Sequence, residues 1–315
     1  MLGGWALLLL ACGGGGADPE QPWRLEAAGL FGQESYELLG LNVDNSVLDV
    51  RVSRNNTGLL RGAGTFSVDL DGRRELPLSY GRRGPPTMVT AAPDDGALLI
   101  GPDGLRRDGL GWTLDARDVD LDLRLRLTPT PEGGPSPEVV ETSRRGRFGA
   151  EALVSAGDLR GVLRAGTRDL LVDGWGVLTR RRGDDPPALR GASRSALFVH
   201  TAGFSMGIDL TGGAALCWAR LGDEALDARD CKLSEDGRLV SFDLRPSAPI
   251  GGLVQLWKQP NAQAELRHGL SDPEVWLLNA VFGRPMRSLR AGAATVYGPG
   301  GSFAAQALAL TVRYE

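Results

Sequence analysis

From Asp118 to Thr128 apolar and charged residues alternate without interruption. Val119, Leu121, Leu123, Leu125 and Leu127 stand at every second position, with Asp120, Asp122, Arg124 and Arg126 between them. A helix would scatter these side chains around its axis. A pleated strand puts all five apolar residues on one face and the charges on the other. The pattern predicts a strand with one dry and one wet face, as antiparallel sheets and barrels have. The same period of two recurs over 47–53, 65–70, 76–80, 97–100 and 110–115, and again over 161–164, 169–178, 196–210, 214–221, 238–244, 252–257, 293–297 and 307–314. Asp71-Gly72 and Asp236-Gly237 read as hairpin turns, because both accept the positive φ that tight hairpins need. Asn55-Asn56-Thr57-Gly58 reads as a further turn. One stretch departs from the beat: Ser271-Asp272-Pro273-Glu274 has capping-box spacing ahead of Val275–Leu278 and predicts a short helix within 261–282.

The segment 128–137 holds four prolines and two glycines, which no central strand tolerates. It reads as a loop near a domain boundary, with strand-rich chain on both sides. The predicted fold class is all-β: two tandem antiparallel β-barrel or barrel-like domains, over 23–150 and 151–315, repeated in architecture and not in sequence. Composition agrees. Hydrophobic residues make up 42% and charged residues 23%, Gly 45 and Pro 19 suit many turns, and the net charge is only −4. No basic patch with interleaved aromatics occurs, which argues against a nucleic-acid partner. Nearly all of the 35 cationic residues are arginine, Lys232 and Lys258 excepted, and they read as outward-facing strand residues.

Residues 1–22 carry an address. Trp5–Ala11 is an apolar run too short to span a bilayer, which takes about 20 residues, but suited to a signal-peptide core. It ends in Leu9-Leu10-Ala11-Cys12, which resembles the bacterial lipobox, and a Gly-rich tether follows. The resemblance implies lipidation at Cys12, a membrane anchor and the bacterial cell envelope. Gly13 after the cysteine resembles the sorting signal that outer-membrane lipoproteins usually show. No Lys or Arg precedes the apolar run, which departs from that pattern; an ordinary secretory signal or a frayed cytosolic N-terminus is the alternative.

Candidate chemistry is sparse. Cys217 and Cys231 either bridge neighbouring strands in an oxidising compartment or stay as buried thiols. Gly203-Phe204-Ser205-Met206-Gly207 matches the nucleophile elbow of hydrolases, but Phe204, Met206, Ile208 and Leu210 alternate straight through it, which is strand and not elbow. Asp209 or Asp227 with His268 has the chain order of a triad and nothing more. His200 and His268 are the only histidines, so no metal site is expected, and no cofactor motif occurs. Phe198 and His200 share one strand face, taken as the inside of a barrel. Seven tryptophans supply flat apolar rings with a donor edge, suited to a pocket for a greasy ligand or to barrel cores alike.

Ala97–Gly101, Leu110-Gly111-Trp112-Thr113-Leu114 and the Leu121–Leu127 strand ending in Thr128-Pro129 together resemble the first barrel of AttH-like proteins, relatives of the carotenoid 1,2-hydratases. Val162-Leu163-Arg164 with Leu170–Gly176 resembles a strand pair of the same family. The resemblance implies two lipocalin-like domains. Family members often place an aromatic and then an acid–His pair just after Gly176; here stand Val177-Leu178-Thr179-Arg180. If that pair carries proton transfer, this chain lacks it. The expectation is therefore a protein that binds a hydrophobic or amphipathic small molecule, in a barrel mouth or between the domains, using Trp112, Trp175, Phe198, His200, Phe204 and Trp218. The alternatives are a lyase or isomerase acting on a terpenoid or polyketide, with His200, Glu265 or Asp173 as the acid, and a structural lipoprotein with filled cores.

Overall fold

A computed structural model describes residues 32–57, 60–71, 78–92, 96–109, 111–129, 139–143, 146–150, 155–183, 193–211, 214–222, 224–226, 230–236, 239–245, 250–256, 276, 279–280, 283–298 and 301–314. The described residues form two all-antiparallel sheets. The first holds β1 (Gln33–Asn42), β2 (Val47–Thr57), β3 (Leu60–Asp71), β4 (Leu78–Gly84), β5 (Val89–Ala91), β6 (Ala97–Ile100), β7 (Asp103–Asp108), β8 (Gly111–Asp118), β9 (Leu121–Pro129), β10 (Val139–Ser143), β11 (Gly146–Ala150), β12 (Ser155–Ala165) and β13 (Arg168–Gly183). The second holds β14 (Arg194–Thr201), β15 (Phe204–Thr211), β16 (Ala214–Leu221), β17 (Glu224–Leu226), β18 (Asp230–Asp236), β19 (Leu239–Arg245), β20 (Ile250–Leu256), β21 (Pro285–Gly298) and β22 (Gly301–Tyr314).

Both sheets run the same circuit. In each, the first strand pairs with the last: β1 with β13 and β14 with β22. The remaining strands follow in chain order, except that β10 and β11 form a hairpin off the path, with β11 on β13, and β12 pairs β9; this leaves one seam on the far side, between β4 and β5 and between β17 and β18. The first sheet curls into a nearly closed barrel. Its seam is packed by Ile100, whose side chain abuts Gly64 and Gly84, where a larger residue would collide. Polar links reinforce the seam: Arg82 pairs with Asp103 at 3.0 Å, and the Tyr80 hydroxyl donates to Asp118 at 3.1 Å. The second sheet is a half-barrel. The Cys217–Cys231 disulfide ties β16 to β18 across its seam.

Alternation decides the core. On β9, Leu121, Leu123, Leu125 and Leu127 are buried inside the first barrel while Arg124 and Arg126 face water. Val119 does not join them. It sits in the β8–β9 turn, 95% exposed, because the strand begins at Leu121. Leu38, Leu105, Trp112, Leu114, Leu125, Leu127 and Leu178 line packing gaps there that leave no room for a water molecule. The second interior is built by Leu197, Val199, Phe204, Met206, Phe242 and Val296, among others.

Several expectations shift. The first sheet extends to Gly183, so β12 and β13 complete it and the change of unit falls well past the boundary expected at 150/151. The Pro-rich segment lies, from residue 130, outside the described residues, as do residues 1–31. The strand expected over 196–210 is a hairpin, folded at Ala202-Gly203 into β14 and β15. The helix expected within 261–282 lies largely outside the described residues; Trp276, Asn279 and Ala280 are helical, and Gly283, at φ 79°, donates its N–H back to the Asn279 carbonyl. The arginines are not uniformly outward. Arg180 and Arg182 alternate with Arg181 on β13, so they share the inner face with Leu178. There Glu34 receives Arg180 at 2.9 Å, Arg182 at 3.1 Å and Arg54 at 2.6 Å, and the Arg180 guanidinium lies 5.4 Å from the centre of the Tyr36 ring.

Candidate functional site

The two sheets meet face to face along the strands that close each circuit. Outer-face residues of β1, β2, β12 and β13 (Leu39, Leu41, Val47, Ala156, Trp175, Val177) pack against those of β14, β16, β21 and β22 in one buried apolar cluster. Phe198, Trp218, Leu289, Ala291, Leu308 and Leu310 are among the second sheet's contribution. The register explains the assembly. Directly opposed residues of antiparallel strands point to one face, so each cross-strand row presents a unit. Trp218, Gly207, Phe198, Leu308 and Ala291 form one such row across β16, β15, β14, β22 and β21. Gly207 is required here: the Trp218 indole occupies the place a Cβ would take.

One end of this interface is a network of charge. Arg287 on β21 donates to Asp49 on β2 at 2.6 Å and to Glu37 on β1. Arg194 on β14 reaches Glu37 at 2.7 Å and Asp209 on β15 at 2.7 Å. Arg181 on β13 bonds Asp209 from the opposite side of the interface. All of these groups are buried or nearly so. Burial alone would raise the Glu37 carboxyl, but Arg194, Arg287 and Arg181 outweigh it and hold Glu37 well below the usual range. The same contest, with Arg181 and Arg194 winning over burial, holds Asp209 at about 2. Burial opposes charge on Arg287 too, and Asp49 and Glu37 overcome it, so its affinity for the proton rises. This end bonds sheet to sheet, with Glu37 and Asp209 held ionised.

The other end is aromatic and opens to solvent. The Trp175 and His200 rings stack across the interface, 4.9 Å between centres and 11° from parallel. Around Trp175 the first sheet sets Leu41 on β1, Asp158 on β12 and Thr128 on β9 in one row. Facing it, the second sheet sets Arg220, Ser205, His200 and Gln306 in one row across β16, β15, β14 and β22. Three buried nitrogens in these rows have no hydrogen-bond partner: Trp175 Nε1, His200 Nδ1 and Arg220 Nε. Other buried polar atoms lack partners too, four of them in the charged network, but these three lie in facing rows beside the exposed Asp158, where a bound group could reach them. Burial drives the imidazole down to about 4, against the pull of Asp158, so His200 is neutral at pH 7.

Of the residues expected at a pocket, the structure brings Trp175, Phe198, His200 and Trp218 to this interface. Trp112 sits apart in the first barrel's core, 5.9 Å from Tyr36, and Phe204 in the second, against Phe303 at 5.3 Å. Phe198 and His200 share a face, as expected, but it is the face between the sheets and not the barrel interior. Asp173 is half exposed and pairs with Arg160 at 3.5 Å, two residues along the strand from Trp175. Glu265 and Cys12 lie outside the described residues. Ser205 is the second residue of β15, just past a strand-to-strand hairpin turn at Ala202-Gly203, and not on the strand-to-helix elbow that a hydrolase serine needs. Asp158, Arg220 and the Arg194–Arg287 network were not singled out by the sequence. A signal existed for the surface they share: Leu38–Leu41, Ala196–Val199 and Ala307–Leu310 are apolar at consecutive positions, which marks strands covered on both faces.

No protein-family model matches the chain, and no curated protein matches it in sequence. Solved structures share its fold. CghA with Sch210972 superposes with a TM-score of 0.62 at 10% identity, over 90% of this chain and 88% of that one. A protein assigned as AttH from Nitrosomonas europaea gives 0.57 at 11%, over 95% and 99%. Kievitone hydratase from Nectria haematococca gives 0.55 at 9%, over 92% and 90%. At these identities the likeness is one of fold, and it is the two-unit β fold that residues 97–129 and 162–176 implied.

Proposed function

We propose that this protein binds an apolar or amphipathic small molecule at the open end of the interface between its two β units. The observation that carries the reading is the Trp175–His200 stack with its unpartnered buried nitrogens. Flat rings offer area, and a few unsatisfied polar groups offer orientation, which is the usual make-up of a small-molecule site. The first barrel's interior supports the same choice by contrast, since its gap around Trp112 is too narrow for water. A protein of the same fold has been solved with Sch210972. Mass spectrometry of organic extracts from protein purified out of its native cells tests the proposal. A compound retained by the native chain and lost from Trp175→Ala is the expected result. An extract reproducibly free of any compound, from both proteins, overturns it.

A lyase or isomerase reaction is the second reading. It is favoured by His200, whose neutral imidazole faces Asp158 and Ser205, and by the shared fold with a kievitone hydratase. Proton transfer from such a pair depends on the imidazole, so turnover of a retained compound that disappears in His200→Gln distinguishes catalysis from binding. The proposed address is the bacterial envelope, by lipidation of Cys12 and an outer-membrane anchor. Metabolic labelling with a fatty acid that fails in Cys12→Ser supports that address, and label retained in the variant refutes it.

A further inference from the structure

We infer that the site between the sheets takes a small molecule with an acidic end, and that Arg220 is the group that anchors it. The inference rests on the binding reading above and names the ligand's chemical class.

Arg220 differs from the other buried or half-buried arginines. Arg194, Arg287, Arg181, Arg180 and Arg182 each bond a named carboxylate. Arg220 has no carboxylate within ion-pair distance among the described residues; its buried Nε lacks an acceptor, as do those of Arg51, Arg181 and Arg290, but these three each have a carboxylate on another nitrogen. Strand parity fixes where it points. On β16, Leu216 and Trp218 belong to the cluster between the sheets while Cys217 and Ala219 face the second barrel's interior. Arg220 continues the even positions, so it faces the first sheet. Register then places it opposite Ser205, which lies opposite His200, with neighbouring strands about 4.8 Å apart. The row therefore reads cation, hydroxyl, neutral imidazole, next to the Trp218, Gly207 and Phe198 row that is wholly apolar.

A ligand that satisfies both rows has a flat or extended apolar body and a carboxylate at one end. The guanidinium accepts such an oxyanion through parallel N–H bonds, and Ser205 adds a neutral donor. Asp158 sets the polarity. It faces His200 from the first sheet, so an anion is repelled from that side and drawn toward Arg220.

The test uses a fluorescent polyene fatty acid, cis-parinaric acid, and its methyl ester on the full-length protein. The pair differs only in the charge of one end. The acid is expected to bind about ten- to a hundred-fold more tightly than the ester, the range of one charge-assisted hydrogen-bonded pair. Arg220→Met is expected to reduce that preference to near unity, and Arg220→Lys to retain part of it. Arg220 has no ion pair to lose among the described residues, and a thermal unfolding midpoint matching the native protein's shows that the variant is folded. Equal binding of acid and ester by the native protein, or a preference that survives Arg220→Met, overturns the anchor and leaves the binding reading standing. Failure of both probes to bind overturns the two together.

Discussion

Replacing Arg287 by methionine tests whether the two β units are bonded to each other or merely adjacent. Arg287 is 3% exposed and spans the units, reaching Asp49 at 2.6 Å and also Glu37. Methionine keeps most of the volume and removes the charge. Breaking a buried pair costs about 3–5 kcal/mol, because the partner is left charged and dry. Here each carboxylate keeps a second cation, Arg51 at 3.6 Å for Asp49 and Arg194 at 2.7 Å for Glu37. The loss therefore belongs at the low end, about 3 kcal/mol. The control is Arg126→Met, which removes a pair of similar length, 2.8 Å to Asp108, whose partners are 55% and 56% exposed. Exposed pairs contribute about 0–1 kcal/mol. Urea unfolding of the three proteins measures both. Arg287→Met should also couple to Glu37→Gln by more than about 1 kcal/mol, because the two share one network. A loss for Arg287→Met no larger than that for Arg126→Met would refute the idea that burial makes this pair a structural bond.

The remaining predictions concern pH, the seam and the core. Unfolded His200 takes a proton below its ordinary 6.5, whereas the folded ring stays neutral down to about 4. Stability is thus complete above pH 6.5 and falls as pH drops toward 4; the shift sets a ceiling of about 3 kcal/mol, and the ring's partial exposure brings the loss to about 1–2 kcal/mol. Unfolding curves at pH 7.5 and pH 4.5 should show a smaller acid loss in His200→Gln, and an identical loss in both proteins would count against the burial of the ring. Cys217→Ser with Cys231→Ser frees a link between residues 14 apart, and should lower stability by about 3 kcal/mol, read as the midpoint shift between oxidised wild type and variant. Leu123→Ala empties a fully buried position in the first core and should cost about 2–5 kcal/mol, while Val119→Ala, four residues earlier, should stay within about 0.5 kcal/mol. Equal effects of the two would move Val119 back onto the strand.

Much of the fold was legible because one physical fact repeats: a strand with one wet face writes its period into the sequence. β9 is the clearest case, and its four leucines fall where alternation puts them. Errors came where that fact fails. Val119 keeps the period but lies past the strand's end, since alternation has no information about where hydrogen bonding stops. The hairpin at Ala202-Gly203 was hidden because Phe204 resumes the same beat as Phe198, so two strands read as one. The boundary at 150/151 followed a run of prolines. Proline marks where a chain cannot pair, not which sheet the next strand joins, and β12 returns to β9 in the first barrel.

The site was half legible for a reason that follows from the same physics. Its aromatic members stood out by type alone, but type could not separate Trp175 and Trp218, which face the other sheet, from Trp112 and Phe204, which fill a barrel. What separates them is whether a strand is covered on one side or two. A strand covered on both sides loses its alternation, as Leu38–Leu41, Ala196–Val199 and Ala307–Leu310 do, and those runs come from β1, β14 and β22, three of the four strands that close the circuits. A charged residue on the second face of such a strand has nowhere wet to go. It must be neutralised across the interface, as Glu37 and Arg194 are, or wait for a charge from outside the chain. Arg220, with no ion pair among the described residues, is the arginine proposed for the second position, on a face whose inner rows are apolar and whose outer row is polar. Among the described residues the interface is thus graded from paired charge, through dry packing, to an end where Arg220, His200 and Trp175 set unpartnered nitrogens beside solvent.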